Sequence, residues 1–499
     1  MRDGAFINHL YNRHITSVDL PGFLVTMQIE SILIFILAAF LVRYLPNQNL
    51  RRWFMLVLSV VALFWLQPSL PIRYLDFFLP IFALLFAFIG WLIITPQVER
   101  WNRINKTTIG IVVSLILLLS LTRYLSVTGV LTPSRPPAPW LAIIPILLAL
   151  IGVLLTKGRL QKNTTAVVLI SILIGLLFVL KTPQIAEAMS RGLRSLLGQS
   201  VSRSSALDVR WFGFSYIVFR LIHTLLDYKN KRLKNVNLQE YVLYLFFFPA
   251  LSAGPIDKIQ RFLEDIRGDS NPNQMGEMSN SLWRLLIGLT KKFVIADTLA
   301  ILALNEKLAL QIHESGWMWL FVYVYAFQIF FDFSGYTDMA ISLGSIMGVH
   351  LPENFKSPYL KPSLKLFWDN WHITLTQWFR TYYFNPISRK LRKNYKNMPV
   401  WVFVLIMQLT TMLLIGLWHG VTLNFVIWGV WHGIGLFLEN RWSEWLEPRI
   451  QSVPQAWMKT MLGAGSTLFV FNFVALGWVW FALPSVKLST HVFSVLLGG

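Results

Sequence analysis

Three histidines stand in apolar, tryptophan-rich sequence that reads as membrane-embedded: His372 within WDNWHITLTQWFR (368–380), and His419 and His432 within GLWHGVTLNFVIWGVWHG (416–433). A neutral imidazole in low dielectric keeps one donor and one acceptor to satisfy, and it is the side chain best suited to move a proton near neutral pH. Ionisable groups at membrane depth are costly, so each is a candidate functional position.

The spacing around each imidazole suggests what it could do. If the stretch after His372 is helical, Thr376 at i+4 and Arg380 at i+8 line the same side, giving a histidine, a hydroxyl and a guanidinium in one row. The plain alternative is a juxtamembrane amphipathic helix in which Trp368, Trp371 and Trp378 form an interfacial belt. His419, between Trp418 and Gly420, closes an apolar run, and the VTLN after it has few strong helix formers, which predicts a break. An imidazole at a break facing a cavity could act as general base, taking a proton from a hydroxyl as it attacks an activated carbonyl. A helix-packing histidine bonded to a neighbouring carbonyl is the plain alternative there. His432 repeats the Trp-His-Gly triplet and would lie roughly 20 Å from His419 on a continuous helix, so a supporting role is expected unless the chain turns between them. None of the three has an i, i+4 histidine or a nearby carboxylate of the kind zinc and iron sites use, and no metal site is expected. The chain has no cysteine, which excludes disulfides, thiolate metal sites and cysteine-linked acyl intermediates.

Other polar groups accompany them. FFDFSGYTDMAISLG (330–344) carries Asp332 and Asp338, which must pair, protonate or face water; they could orient a histidine, fix a helix bundle or carry protons. Lys356, Lys361 and Lys365, then Arg389, Lys390, Arg392, Lys393 and Lys396, could hold anionic lipid or cofactor phosphates, or act only as topology determinants. Trp371, Asn370 and Trp418 join Arg380, Asp332 and Asp338 as candidate substrate-positioning residues.

The elements that must position these groups are membrane helices. The 499 residues are 55% hydrophobic and only 14% charged, against about 25% charge in soluble proteins. Apolar segments recur at 31–46, 53–66, 75–95, 107–125, 140–156 and 165–181, then at 211–226, 240–257, 282–304, 316–347, 401–418, 423–438 and 462–483. The pattern predicts an all-α polytopic bundle of about 12 to 14 transmembrane or re-entrant helices. The first 22 residues are too polar for a signal-peptide core, so the first transmembrane helix is expected to serve as targeting signal. Basic residues concentrate in alternate connections (Arg51 and Arg52; Arg100, Arg103 and Lys106; Lys157, Arg159 and Lys162), which places those connections in the cytoplasm and the N-terminus outside. Residues 184–199 set Ile185, Met189, Leu193, Leu196 and Leu197 at helical spacing, with Arg191 and Arg194 elsewhere on the wheel, as in an interfacial helix. The chain thus divides into three regions: N-terminal transmembrane helices with that interfacial helix (1–205), a core rich in Gly, Trp and intramembrane polar residues (206–440), and a C-terminal transmembrane segment (441–499). The net charge of +20 is spread over short connections and forms no basic domain, which indicates lipid headgroups rather than nucleic acid as the partner.

In order along the chain stand AGPIDK (253–258), GLTKKFVIADTLA (288–300), QIFFDFSGYTDMAISLGSIMGVHLPENFKSPY (328–359), FWDNWHITLTQWFRTYYFNP (367–386) and GLWHGVTLNFVIWGVWHG (416–433). Together they resemble the membrane-bound O-acyltransferases, in particular the bacterial branch with the alginate O-acetylation and teichoic-acid D-alanylation membrane proteins. The resemblance covers roughly 206–440. It implies a helical bundle around a tunnel with a cytoplasmic entrance for an acyl thioester; the family's embedded catalytic histidine falls on His419 and its other recurrent histidine on His372. The chain departs from the alginate-type pattern in having ISRKLRKN where a Gly-Gly-Asn-Arg-like stretch is usual, and in its extra N-terminal helices.

The same resemblance implies an acyltransferase of the cell membrane, passing an acyl group, acetyl for preference, from a thioester such as acetyl-CoA to a hydroxyl of an extracytoplasmic polysaccharide or other envelope acceptor, directly or through a membrane or extracytoplasmic partner. No tightly bound cofactor is expected. The competing classes are a proton-coupled transporter or lipid-linked glycan flippase using Asp332, Asp338 and the histidines, and an inactive scaffold of the same fold. Against the transporter stands the lack of a duplicated half-sequence.

Overall fold

The computed structural model describes residues 29–125, 131–156, 162–233, 235–268, 275–451 and 456–499. The N-terminal stretch read for targeting, and Lys157 and Arg159 of the fifth connection, lie outside them. The described residues are helical, and their one β feature is an isolated antiparallel bridge between Phe355 and Trp371.

Among the described residues, six helices are long and apolar enough to cross a membrane: Leu75–Ile94, Arg103–Tyr124, Asn163–Lys181, Ser315–Ile346, Val400–His419 and Trp457–Ala482. The expected count of about 12 to 14 exceeded this because it included runs that fold as shorter or more polar helices, such as Ile29–Arg43 and Phe214–Lys229. The run expected at 240–257 is a nine-residue helix, Leu238–Phe246, followed by a short 3-10 turn and extended chain. Pro249 stops it, having no amide hydrogen to continue the ladder.

The chain divides into two compact units, one of Ile29–Leu286 with Thr337–Glu353, the other of Ile287–Tyr336 with Asn354–Gly499. The stretch 206–440 is thereby shared between both.

In the first unit the most apolar helix, Leu75–Ile94, packs on Phe214–Lys229 and Leu238–Phe246. Gly90 permits the approach: a Cβ there would lie 3.0 Å from the Tyr241 hydroxyl and 3.3 Å from Leu221. Where Leu238–Phe246 ends, the freed carbonyls need donors, and the buried Arg220 supplies them, donating to Leu245 O at 2.9 Å and Ala250 O at 2.7 Å. The helix expected to lie on the membrane is Pro183–Leu196. Met189 and Leu193 pack on Ile72, Ala186 and Val209, while Leu196 and Leu197 are exposed. Arg194 departs from the expected polar face: it is buried, bonded at 2.8 Å to Asp208, which also accepts from Ser190. An ion pair that fills its own hydrogen bonds can face inward.

In the second unit the helices Val400–His419 and Leu423–Gln451 form a tight hairpin. Gly429 and Gly433, one turn apart, make this possible, since a Cβ at either would come within 2.8 Å of the backbone of Met412 or Leu409. The break expected after His419 is present. Gly420 is extended and the next helix begins at Leu423.

Candidate functional site

His372 is held by backbone geometry and one amide. The bridge Phe355–Trp371, with Lys356 N donating to Asn370 O (3.1 Å) and Ile373 N to Asn354 O (3.0 Å), places the segment 354–356 beside 370–373. His372 then caps the helix Ile373–Phe379 with φ 43° and ψ 54°. That left-handed conformation is uncommon for a residue with a Cβ and persists only where the surroundings fix it. Asn354 does the fixing: it is fully buried, and its Oδ1 accepts from Thr374 N (3.2 Å) and Thr374 Oγ1 (2.7 Å) and faces His372 Nδ1 at 3.3 Å. Because a backbone N–H must donate, the Asn354 oxygen is assigned. His372 Nδ1 therefore carries the hydrogen, and Nε2 keeps the lone pair. Asn354 was not among the residues singled out from sequence, where its only signal was the polar PENF run 18 residues before His372.

His419 is the last residue of its helix, buried at 7% exposure among Trp418, Phe425, Trp428 and Phe481. Trp418 links the two imidazoles, with its ring centroid 4.5 Å from His419 and 6.3 Å from His372. The carbonyl end of a helix favours positive charge, so it assists an imidazole that takes up a proton. His432 also comes into this group. The turn at 420–422 brings its helix back, and His432 and His419 lie on the same indole, with centroids 4.9 Å and 5.6 Å from Trp428.

A cavity of about 410 Å³ lies against the helix that ends in His419. Its wall on the helix Val400–His419 is formed by Gln408, Thr411, Met412 and Ile415. These positions, spaced three and four apart, define one helical face, and His419 is the next residue on that face, one turn beyond Ile415. The lining also includes Trp368, Thr376 and Arg380, so two members of the row expected from spacing reach it; His372, in a left-handed conformation ahead of the helix Ile373–Phe379, is not among the lining residues. A second cavity of about 470 Å³ shares Lys365, Phe384, Asn385 and Gln408 with the first and adds Ser388, Arg389 and Arg392. The first is largely apolar; the second is basic.

Not every expected residue is open to a substrate. Arg380 donates to Asp369 at 2.5 Å, so its charge is already countered. Trp371 is buried among Phe355, Tyr359, Phe367 and Trp478, and the Asn370 side chain donates to Leu366 O at 2.8 Å; both hold the segment that carries His372. Asp332 pairs with Lys292 at 2.5 Å, both buried, and Asp338 pairs with Arg284 at 2.9 Å in the other unit. The intramembrane carboxylates therefore take the paired state among the three open to them. Among the described residues no cluster of three or more His, Asp or Glu is placed to hold a metal ion.

The chain is 33% identical over 288 residues to the probable alginate O-acetylase AlgI of Pseudomonas putida, covering 57% of this chain and 54% of that protein. It is 31% identical over 241 residues to the teichoic acid D-alanyltransferase of Streptococcus thermophilus (47% and 58%) and 28% identical over 282 residues to that of Bacillus subtilis (55% and 69%). The match spans about half the length of the AlgI relatives. Residues 161–479, which contain both cavities and all three imidazoles, match the model of the MBOAT family. The chain belongs to the membrane-bound O-acyltransferase (MBOAT) family, and it is a multi-pass membrane protein.

Proposed function

We propose that the chain is an O-acyltransferase of the cell membrane, moving an acyl group, acetyl for preference, from a cytoplasmic thioester to a hydroxyl of an extracytoplasmic polysaccharide or other envelope acceptor. The observation that carries this reading is the alignment of cavity and imidazole: Gln408, Thr411, Met412 and Ile415 line the cavity, and His419 continues their face.

The steps follow from the groups present. The donor's anionic end lies against Lys365, Arg389 and Arg392, and its acyl end extends along the apolar cavity toward Ile415. His419 takes the proton of the acceptor hydroxyl as that oxygen attacks the thioester carbonyl; the tetrahedral adduct collapses, the carbon–sulfur bond breaks, and the proton passes to the departing thiolate. His372, fixed by Asn354, and Arg380, fixed by Asp369, position the donor, with Trp418 holding the imidazoles apart. Asn370 and Trp371 act through the segment they hold, and Asp332 and Asp338 through their cation partners. Thioesters are activated already, so positioning and one proton transfer supply the acceleration. The acceptor reaches the site directly or through a membrane or extracytoplasmic partner. A proton-coupled carrier is disfavoured by the same carboxylates that recommended it, since both are engaged by cations.

The test is transfer of label from [¹⁴C]acetyl-CoA to an oligosaccharide acceptor by the full chain in lipid nanodiscs. Transfer that is lost in His419→Ala is expected. A folded chain that neither transfers nor hydrolyses the thioester contradicts the reading.

A further inference from the structure

Next to His419 lies a group of buried polar atoms that the steps above do not use. His432 is fully buried, and among the described residues neither ring nitrogen has a hydrogen-bond partner. The same holds for the indole Nε1 of Trp368 and of Trp428, which are 6% and 0% exposed. The three rings touch one another: centroids are 5.1 Å apart for Trp368 and His432, 4.9 Å for Trp428 and His432, and 5.7 Å for Trp368 and Trp428, at interplanar angles of 88°, 60° and 86°. Trp368 lines the apolar cavity and Trp428 contacts His419 at 5.6 Å. The group therefore bridges the cavity and the proposed base.

An indole nitrogen can only donate, so two buried indoles cannot satisfy each other. Leaving such a donor unmet is expensive, and a phenylalanine would fill either place without that cost. With three N–H donors, two indole and one imidazole, against a single imidazole lone pair, the group is short of acceptors. Resting on the function proposed above, the acceptor that comes down the cavity is the carbonyl oxygen of the thioester, which gains negative charge when the hydroxyl attacks. Fixed N–H donors in a water-poor site are the usual means of stabilising that charge. Arg380 suits this task less well, because Asp369 already occupies it.

We propose that the indole N–H groups of Trp368 and Trp428 are the donors that hold the reacting carbonyl oxygen, and that His432, edge-on to Trp368 and in contact with Trp428, is the positioning residue that sets their orientation.

Infrared difference spectra of [¹³C-carbonyl]acetyl-CoA bound to His419→Ala protein in nanodiscs test the site without turnover. The bound carbonyl band is expected below that of the free thioester, and Trp368→Phe or Trp428→Phe, added to His419→Ala, moves it back up. With His419 present, each indole change is expected to lower kcat about 100-fold with KM within about twofold, as loss of one transition-state donor does. His432→Gln is expected to retain more of kcat than His432→Phe at equal thermal stability. An unshifted band together with an unchanged kcat in both folded Phe variants overturns the proposal and makes the rings packing only. Absence of transfer by the unsubstituted chain overturns the proposed function, while the band still decides the donors. Absence of any bound carbonyl signal overturns both.

Discussion

Two buried histidines, one in each unit, have opposite surroundings. His223, 1% exposed, accepts at Nε2 from Ile259 N at 3.4 Å, which leaves the hydrogen on Nδ1, 3.4 Å from the Tyr244 hydroxyl, which donates onward to Asp257 O at 2.7 Å. It fixes the chain entering the helix Ile259–Arg267, at the AGPIDK segment. His432, 0% exposed, has rings on every side and no polar partner among the described residues. A histidine kept for architecture comes with its hydrogen bonds complete; His432, whose bonds are left open, packs on Trp368, which lines a cavity. The same contrast separates Arg220 and the Lys292–Asp332 pair, whose partners are in place, from the indoles of Trp368 and Trp428, whose partners are not.

The largest stability effect is expected where a completed bond is halved. Lys292→Met strands the Asp332 carboxylate and is expected to destabilise by about 3–5 kcal/mol, seen as a lower melting temperature in detergent. Lys292→Met combined with Asp332→Leu recovers most of it. If the double variant melts as low as the single one, the pair is not what holds that region. The comparison itself is sharpened by one substitution made twice. His223→Phe breaks a completed network and is expected to cost about 1–3 kcal/mol while leaving activity per folded molecule largely intact. His432→Phe removes no hydrogen bond, so its melting temperature should hold while its turnover drops. Similar profiles for the two variants would erase the distinction.

The smallest effect is one of pH. His350 lies in the connection after the helix Ser315–Ile346; its backbone N donates to Asp265 at 2.7 Å and its Nδ1 lies 3.4 Å from the same carboxylate. The hydrogen bond to Asp265 is the main cause raising the His350 pKa, opposed by burial, with Glu277 adding to the rise and Arg261 reducing it. A raised folded-state value makes the contribution fully present below the unfolded value of about 6.5 and lost as pH rises through the folded value. With the side chain 49% exposed, screening keeps the effect small. Asp265→Asn should flatten the slope of melting temperature against pH above about 6.5, and an unaltered slope would assign the titration to another group.

How much was readable in the sequence depended on how far apart the cause and its effect lie along the chain. The apolar runs and the break after His419 are local, set by hydropathy and weak helix formers, and each was legible. The stop at Pro249 is as local, set by a missing amide, but its apolar neighbours mask it. Thr376 and Arg380 share a cavity lining as helical spacing predicts, whereas His372 falls outside that helix because its backbone turns left-handed. Pairings across tens of residues were not legible: Lys292 lies in a KK doublet that reads as a topology signal, and Asp332 is 40 positions away. Asn354 acts only because residues 354–356 and 370–373 run side by side, a geometry that no periodicity encodes. On a continuous helix His432 would lie far from His419; the turn of three residues sets both against the Trp428 ring instead. Helical spacing alone puts Arg194 away from the apolar stripe, because its partner, Asp208, follows 14 residues later on another element.

The central claim is that the imidazole of His419 accepts the proton of the attacking hydroxyl. Rapid-quench single turnovers of [¹⁴C]acetyl-CoA by the full chain and by His419→Ala, both shown to melt at the same temperature and to bind the donor equally, test it directly. A fall in the transfer rate of about 10²–10⁴-fold, the usual worth of a general base, is the predicted result. Transfer at an undiminished rate in the variant would contradict it.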